Sequence, residues 1–292
     1  MSDPTTFETH RDRLARLAYA MLGSSADAED AVQETWIRWQ RSAPQDVLEP
    51  VAWLTRVCSR VALDRLRQLR RRREEYPGTW LPEPLIDDPV DASTPAELDE
   101  SVSVALLLLL ERLTPTQRAA FLLHDVFGHE FDEVARMLDT SATSCRKAAS
   151  RARSFLEQER PRFTPRQDEH ARLLSAFHAA SREGDEAALR ALLSPDAVLH
   201  ADAGGKARAA AIPVRGARAI ARFVLRVGVL GRHDDSARRT ELRRFNGAPG
   251  WLVFEGERLV TALAFDVHDG RIRALFAHRN PDKLAAFAGL SR

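Results

Sequence analysis

The sequence predicts a multidomain fold: two all-α units followed by an α+β domain. Three observations carry this reading. Up to about residue 160, apolar side chains recur at helical spacing between capping signals. Prolines at 77, 82, 84, 89 and 95 break that pattern over 76–97. From residue 166, helices give way to segments rich in β-branched and aromatic residues with turns between them, the order expected of an α+β domain. At 292 residues the chain also exceeds one ordinary core.

The first unit, 7–75, holds three helical segments. "FETHRDRLARLAYAMLG" sets Phe7, Leu14, Leu17, Ala18 and Met21 on one face and ends on Gly23. "SSADAEDAVQETWIRWQRS" opens on capping residues, with acids in its first turn. "EPVAWLTRVCSRVALDRLRQLRRRR" starts with a proline and spaces Val51, Leu54, Val57, Val61 and Leu66 along one side. The linker, 76–97, carries "WLPEPL" (Trp80 to Leu85), which is neither helix interior nor central strand because proline removes a backbone donor. The second unit, 98–160, holds four more helical segments, and Thr114-Pro115 is a cap followed by proline at the first helical position. In the third, 166–284, two helices, "AVLHADAGG" and another helix precede an antiparallel sheet.

Net charge is only +1, but the charges are segregated. Residues 65–73 hold six arginines and no acid, whereas 81–100 hold seven acids and no base. A basic face on a neutral chain still attracts polyanions. Cys58 and Cys145 are far apart and form no CxxC, so the pattern points to buried free thiols rather than a metal site or disulfide. The N-terminus lacks a signal-peptide core, and the apolar run Val104 to Leu110 is too short to span a bilayer. A cytoplasmic protein with no metal, cofactor or membrane partner is expected.

The most informative stretch of the second unit is "EFDEVARMLDTSATSCRKAASRARSFL". Phe131, Val134, Ala135 and Leu138 give one helix an apolar face, Asp139-Thr140-Ser141 make a short turn, and Cys145, Ala148, Ala149 and Ala152 line a second helix. Ser144, Arg146, Lys147, Ser150, Arg151 and Arg153 then point outward with no acid among them. That is the composition of a recognition helix in a major groove, though such short patterns also arise on solvated helices.

With these residues in view, the chain resembles the extracytoplasmic-function group of bacterial sigma factors. "DAEDAVQETWIRWQ", "AWLTRVCSRVALDRLRQ" and "LTPTQRAAFLLHDVFGHEFDEVARMLDTSATSCRKAASRAR" look like that group's two domains in order. "WLPEPL", "DAGGK" (Asp202 to Lys206) and "NPDKL" (Asn280 to Leu284) look like the marks of the SigJ-type subgroup with a SnoaL-like extension of NTF2-like cone fold. The chain departs from that pattern at Ala203, where the subgroup usually has glycine, and at Arg60, where many relatives have asparagine.

The resemblance implies core RNA polymerase and promoter DNA as partners. Asp27, Glu29, Asp30, Glu34 and Trp36 would dock on the clamp helices of the largest subunit. Arg56, Arg60, Arg65, Arg67, Arg70 and Arg71 would meet the −10 element or its phosphates; Ser144, Arg146, Lys147, Ser150 and Arg151 would meet the −35 element. Asp64 reads as an intrahelical partner of Arg60 or Arg67. Trp80, Leu81, Pro82, Asp202, Gly204, Gly205 and Lys206 would join the extension to the rest, tuning activity in cis without a dedicated anti-sigma protein. Lys206 would meet an acid, for which the linker offers candidates. A ligand in the extension's pocket is conceivable, and a DNA-binding module fused to an enzyme or ligand sensor is the alternative. Catalysis would have to come from Asp202, His178, His200, Asp266 or His278, none of which forms a defensible spaced pair.

Overall fold

Seven helices form the N-terminal half of the computed structural model, which describes residues 4–42, 49–87, 102–159, 167–231 and 238–290. Helices α1 (Pro4–Leu22), α2 (Ser25–Arg41) and α3 (Pro50–Glu74) come first. Ser24 caps α2 by accepting from the Asp27 amide, and proline opens α3. After the linker follow α4 (Val104–Leu110), α5 (Pro115–Phe121), a π-helical turn (Leu122–Val126), α6 (Phe131–Leu138) and α7 (Ala142–Glu159). The expected Thr114 cap is a full capping box with Gln117.

The sequence regions 7–75 and 98–160 share one core. Leu14, Leu17, Leu54 and Leu63 from the first region are buried in the same cluster as Leu107, Leu110, Leu122, Val134 and Leu156 from the second. A buried polar knot reinforces it. Glu111, just after α4, accepts from Arg73 of α3 and Arg118 of α5. Arg118 is 1% exposed and also donates to the Ala20 carbonyl of α1 at 3.0 Å.

The other compact unit comprises, among the described residues, 76–87, 103–105 and the C-terminal half. Helices α8 (Gln167–Glu183), α9 (Glu186–Leu192) and α10 (Ala217–Val227) pack on a sheet built from β1 (Ile86–Asp87), β2 (Leu193–Asp202), β3 (Val214–Arg215), β4 (Arg238–Phe245), β5 (Ala248–Glu255), β6 (Arg258–His268) and β7 (Arg271–His278). A short α11 (Pro281–Leu284) follows. The strand order is β1-β4-β5-β6-β7-β2-β3. Register shifts interrupt β2–β7, β5–β6 and β6–β7, the irregularities that bend a sheet. This is the curved sheet wrapped by helices of an NTF2-like cone.

One expectation is corrected here. The sheet is mixed, not antiparallel: β2 runs parallel to β7, with Leu199 opposite Leu275 and Ala201 opposite Ala277. The crossover containing α10 and the meander β4–β7 returns the chain in β2's own direction, which periodicity within a single strand cannot reveal. The described part of the linker is seated on the C-terminal sheet, as its apolar side chains suggest. Ile86 and Asp87 pair with Phe245 and Arg244 as an edge strand, and Leu81 is fully buried. The acids from 88 to 100 lie outside the described residues.

Candidate nucleic-acid interface

Helix α7 presents one face to the core and another to solvent. Cys145, Ala149 and Ala152 are buried, while Ser144, Arg146, Lys147, Ser150 and Arg151 are all exposed. The geometry that presents α7 is set just before it. Asp139 closes α6 in the left-handed region (φ 55°), and the Ser141 hydroxyl accepts from the Ser144 amide at 3.2 Å. Arg146 lies over the Phe131 ring at 5.5 Å, which ties the two helices of the motif together. Arg153 departs from the outward set, because it pairs with Asp125.

Helix α3 carries the second basic face. Arg56, Arg67, Arg70 and Arg71 are exposed. Arg67 pairs with Asp64 at 2.9 Å, one of the two intrahelical partners expected for that acid. Arg60 instead reaches Asp139 at 3.0 Å, in the turn that precedes α7. Arg65 is half-buried and held by Asp27 at 2.8 Å and by Asp30. Sequence reading separated these three residues into DNA-facing and polymerase-facing sets; the structure brings them together. Glu29 pairs with Arg11, and Glu34 with Arg38 at 2.9 Å. Trp36 is half-buried against Phe7 with ring centroids 4.8 Å apart, and the deeper Trp39 packs on Trp53 at 5.4 Å.

In the C-terminal unit the three short motifs meet on Asp202. Its carboxylate is fully buried and accepts from the Tyr76 hydroxyl at 2.6 Å, the Leu81 amide at 3.0 Å, the Gly204 amide at 3.1 Å and the Lys283 ammonium at 2.7 Å. Lys283 also donates to the Leu81 carbonyl and sits over the Trp80 ring at 4.4 Å. Asn280 donates to the Tyr76 hydroxyl at 2.8 Å. Burial and the Asp202 charge beside it push the Tyr76 phenol up, so it stays protonated as a donor. Pro82 is buried beside Leu81, and a side chain at Gly205 would press on Pro77. Lys206 finds an acid in Asp282, while the linker acids from 88 to 100 lie outside the described residues. Tyr76, Asn280 and Lys283 were missed as members of this cluster at residue level, although two lie inside the quoted "NPDKL".

The concave face of the sheet and helices α8 and α10 enclose a cavity of about 300 Å³. Phe177, Leu199, Phe223, Leu263 and Leu275 line it, together with Arg208, Arg238 and Arg279. Leu199 and Ala201 face this cavity, so His200 and Asp202, which alternate with them, belong to the opposite face. Burial and Arg215 depress His200 to about 4, and burial and Lys283 depress His278 to about 3. His178 stacks on Trp251 at 4.4 Å and meets the Thr240 hydroxyl at 2.9 Å. None of the five catalytic candidates lines the cavity.

The Sigma-70 region 2 family model matches residues 6–72, and the Sigma-70, region 4 model matches residues 103–156. The ECF RNA polymerase sigma factor SigJ of Mycobacterium tuberculosis (strain ATCC 25618 / H37Rv) is 39% identical over 290 residues, covering 95% of this chain and 91% of that protein. The chain belongs to the ECF sigma factor family. A probable ECF sigma factor, SigI of Mycobacterium tuberculosis (strain CDC 1551 / Oshkosh), is 30% identical over 286 residues, covering 97% of this chain and 95% of the relative. The crystal structure of the Mycobacterium tuberculosis SigJ matches with a TM-score of 0.77 at 37% identity, covering 97% of this chain and 98% of that one.

A sigma factor binds core RNA polymerase and directs initiation at particular promoters. In this ECF sigma factor, α1–α3 are therefore region 2 and α4–α7 region 4, and the C-terminal cone is an extension of the SigJ kind. Among the described residues no helix is long and apolar enough to cross a membrane.

Proposed function

We propose that this sigma factor reads a −10 element with α3 and a −35 element with α7. Its C-terminal domain sets the activity of both regions in cis and catalyses no reaction of its own. The carrying observation is the pair of basic helical faces in sigma order. On α7, Ser144, Arg146, Lys147, Ser150 and Arg151 stand opposite a small-residue seam, the form that enters a major groove. On α3, Arg56, Arg67, Arg70 and Arg71 offer cations to a melted strand and its phosphates, joined by Arg60 once Asp139 releases it. Arg65 is assigned to holding region 2 together. Glu29, Glu34 and the neighbouring Trp36 are assigned to the polymerase clamp helices, since exposed ion pairs such as those of the two glutamates exchange partners at little cost.

Cis regulation is supported by the seating of Trp80, Leu81 and Pro82. The chain leaving α3 is built into the C-terminal domain through Asp202, Gly204 and Lys283, so a change in that domain reaches the connection between the two readers. Control by this domain takes the place of a dedicated anti-sigma protein, and the protein works beside core polymerase in the cytoplasm. The absence of all five catalytic candidates from the cavity lining argues against the rival reading of a fused enzyme.

The test is in vitro transcription with core enzyme on promoters selected from a random pool. The full-length chain is expected to initiate, and a chain ending near residue 165, or carrying Trp80→Ala, to differ in rate. Initiation by none of these forms sinks the promoter-reading assignment; identical rates from all of them sink cis regulation.

A further inference from the structure

We propose that the cavity of the C-terminal domain binds a small apolar molecule bearing a carboxylate, with Arg279 anchoring the charged end. The cavity, about 300 Å³, sits at the lower end of the range of ligand sites, about 300–1,000 Å³. Its walls are aliphatic and aromatic, and its three ionisable side chains are all cationic. An apolar interior beside an excess of positive charge selects a ligand with both an apolar body and an anionic end.

The three arginines are not equivalent. Arg238 has its counter-ion in Glu255 at 2.8 Å and donates to the Gly228 carbonyl. Arg208 is exposed, so water satisfies it. Arg279 is half-buried and has one neutral partner, the Arg208 carbonyl at 2.6 Å from its Nη1. Its Nε is buried without an acceptor, and among the described residues none supplies an acceptor to its Nη2. Burial, and then Arg238, pull the guanidinium below its usual range, and the Glu255 charge opposes them without outweighing them.

The free edge formed by Nε and Nη2 is the fork that grips a carboxylate with two parallel hydrogen bonds. Charge count favours a monoanion. Glu255 pairs with Arg238 and acts on Arg279 only through space, so these three groups together keep one positive charge to be neutralised.

The test is calorimetric titration of the full chain with octanoate, 1-octanol and octyl phosphate. Octanoate should bind at least about tenfold more tightly than octanol, because a hydrogen-bonded ion pair replaces an unpaired cation. Octyl phosphate should bind no more tightly than octanoate. Arg279→Gln should remove the octanoate preference and leave octanol unchanged. Val260→Trp, which fills the cavity, should weaken both. If Arg279→Gln fails to fold, Arg279→Lys keeps the charge without the fork and should still lose most of the preference. The proposal is overturned by no octanoate binding at millimolar concentration, by equal binding of octanol, by tighter octyl phosphate, or by an unaltered preference in the Arg279 variants. The titration contains neither polymerase nor DNA, so its failure leaves the promoter-reading assignment untouched.

Discussion

Asp202 is the residue on which the C-terminal unit turns. A buried carboxylate is costly unless paired and hydrogen-bonded, and this one meets both conditions through four donors from three separate stretches. Asp202→Asn should therefore lower the stability of this unit by about 3–5 kcal/mol, because Lys283 is left buried without its counter-charge, and urea unfolding would measure it. Gly204 is tied to the same cluster. It has φ +58°, and an added Cβ would lie 2.4 Å from Asn280 Nδ2. Gly78, at φ +84°, has open space around its Cβ position. Gly204→Ala should lose more than about 1 kcal/mol, and more than Gly78→Ala, which isolates backbone strain from the clash. The thiols give a second prediction at this scale. Burial pushes Cys58 up to about 12, and Cys145 also upward. Neither should react with a thiol reagent at pH 8 until denaturant is added; rapid labelling of the native chain would contradict it. That both cysteines are buried free thiols was legible from their number and spacing. That "NPDKL" supplies the cation for Asp202 was not, since the two positions are far apart in the chain.

Helices α3 and α7 were legible because their periodicity, caps and charge all pointed one way. Alanine replacements of Arg146, Lys147 and Arg151 together should weaken promoter binding by the holoenzyme and make the remaining binding less salt-sensitive, by about one logarithmic slope unit per lost phosphate contact. The same change should leave the melting temperature nearly unaltered, because all three side chains are exposed. The knot joining α1, α3, α4 and α5 was invisible to this kind of reading. Burial alone would raise the Glu111 carboxyl, but Arg118 and Arg73 beside it outweigh burial and hold it below the usual carboxylate range. A depressed folded value gives stability that is full above the unfolded carboxylate's pKa and is lost as pH falls through the folded one. Glu111→Gln should therefore cost about 3–5 kcal/mol at pH 7, because Arg73 and Arg118 lose their shared carboxylate in a largely buried site. Acid titration of the variant should show a flatter loss of stability below the ordinary carboxylate range than the parent shows.

At the scale of the whole molecule, packing units and sequence regions do not coincide. Regions 2 and 4 share a core, and the linker's described part belongs with the C-terminal sheet. Removing everything beyond about residue 165 should leave the helical core of α1–α7 intact by circular dichroism. It should also make residues 76–87 newly sensitive to protease, since Leu81 and the backbone at Leu85 lose their partners. Equal protease resistance with and without the extension would refute this. The sequence by itself determined the order of most elements, the two basic faces, the family and, of the residues that meet at Asp202, only Leu81 and Gly204, because spacing and charge are local properties of a chain. The tertiary structure decided which charges cancel. It set Arg65 against Asp27 and Asp30, Arg60 against Asp139, and Lys206 against Asp282, and among the described residues it left the Arg279 Nε buried without an acceptor beside an apolar cavity. The physical reason is range: helical periodicity acts over a few residues, whereas an ion pair or a strand pairing depends on distances set only when remote segments pack.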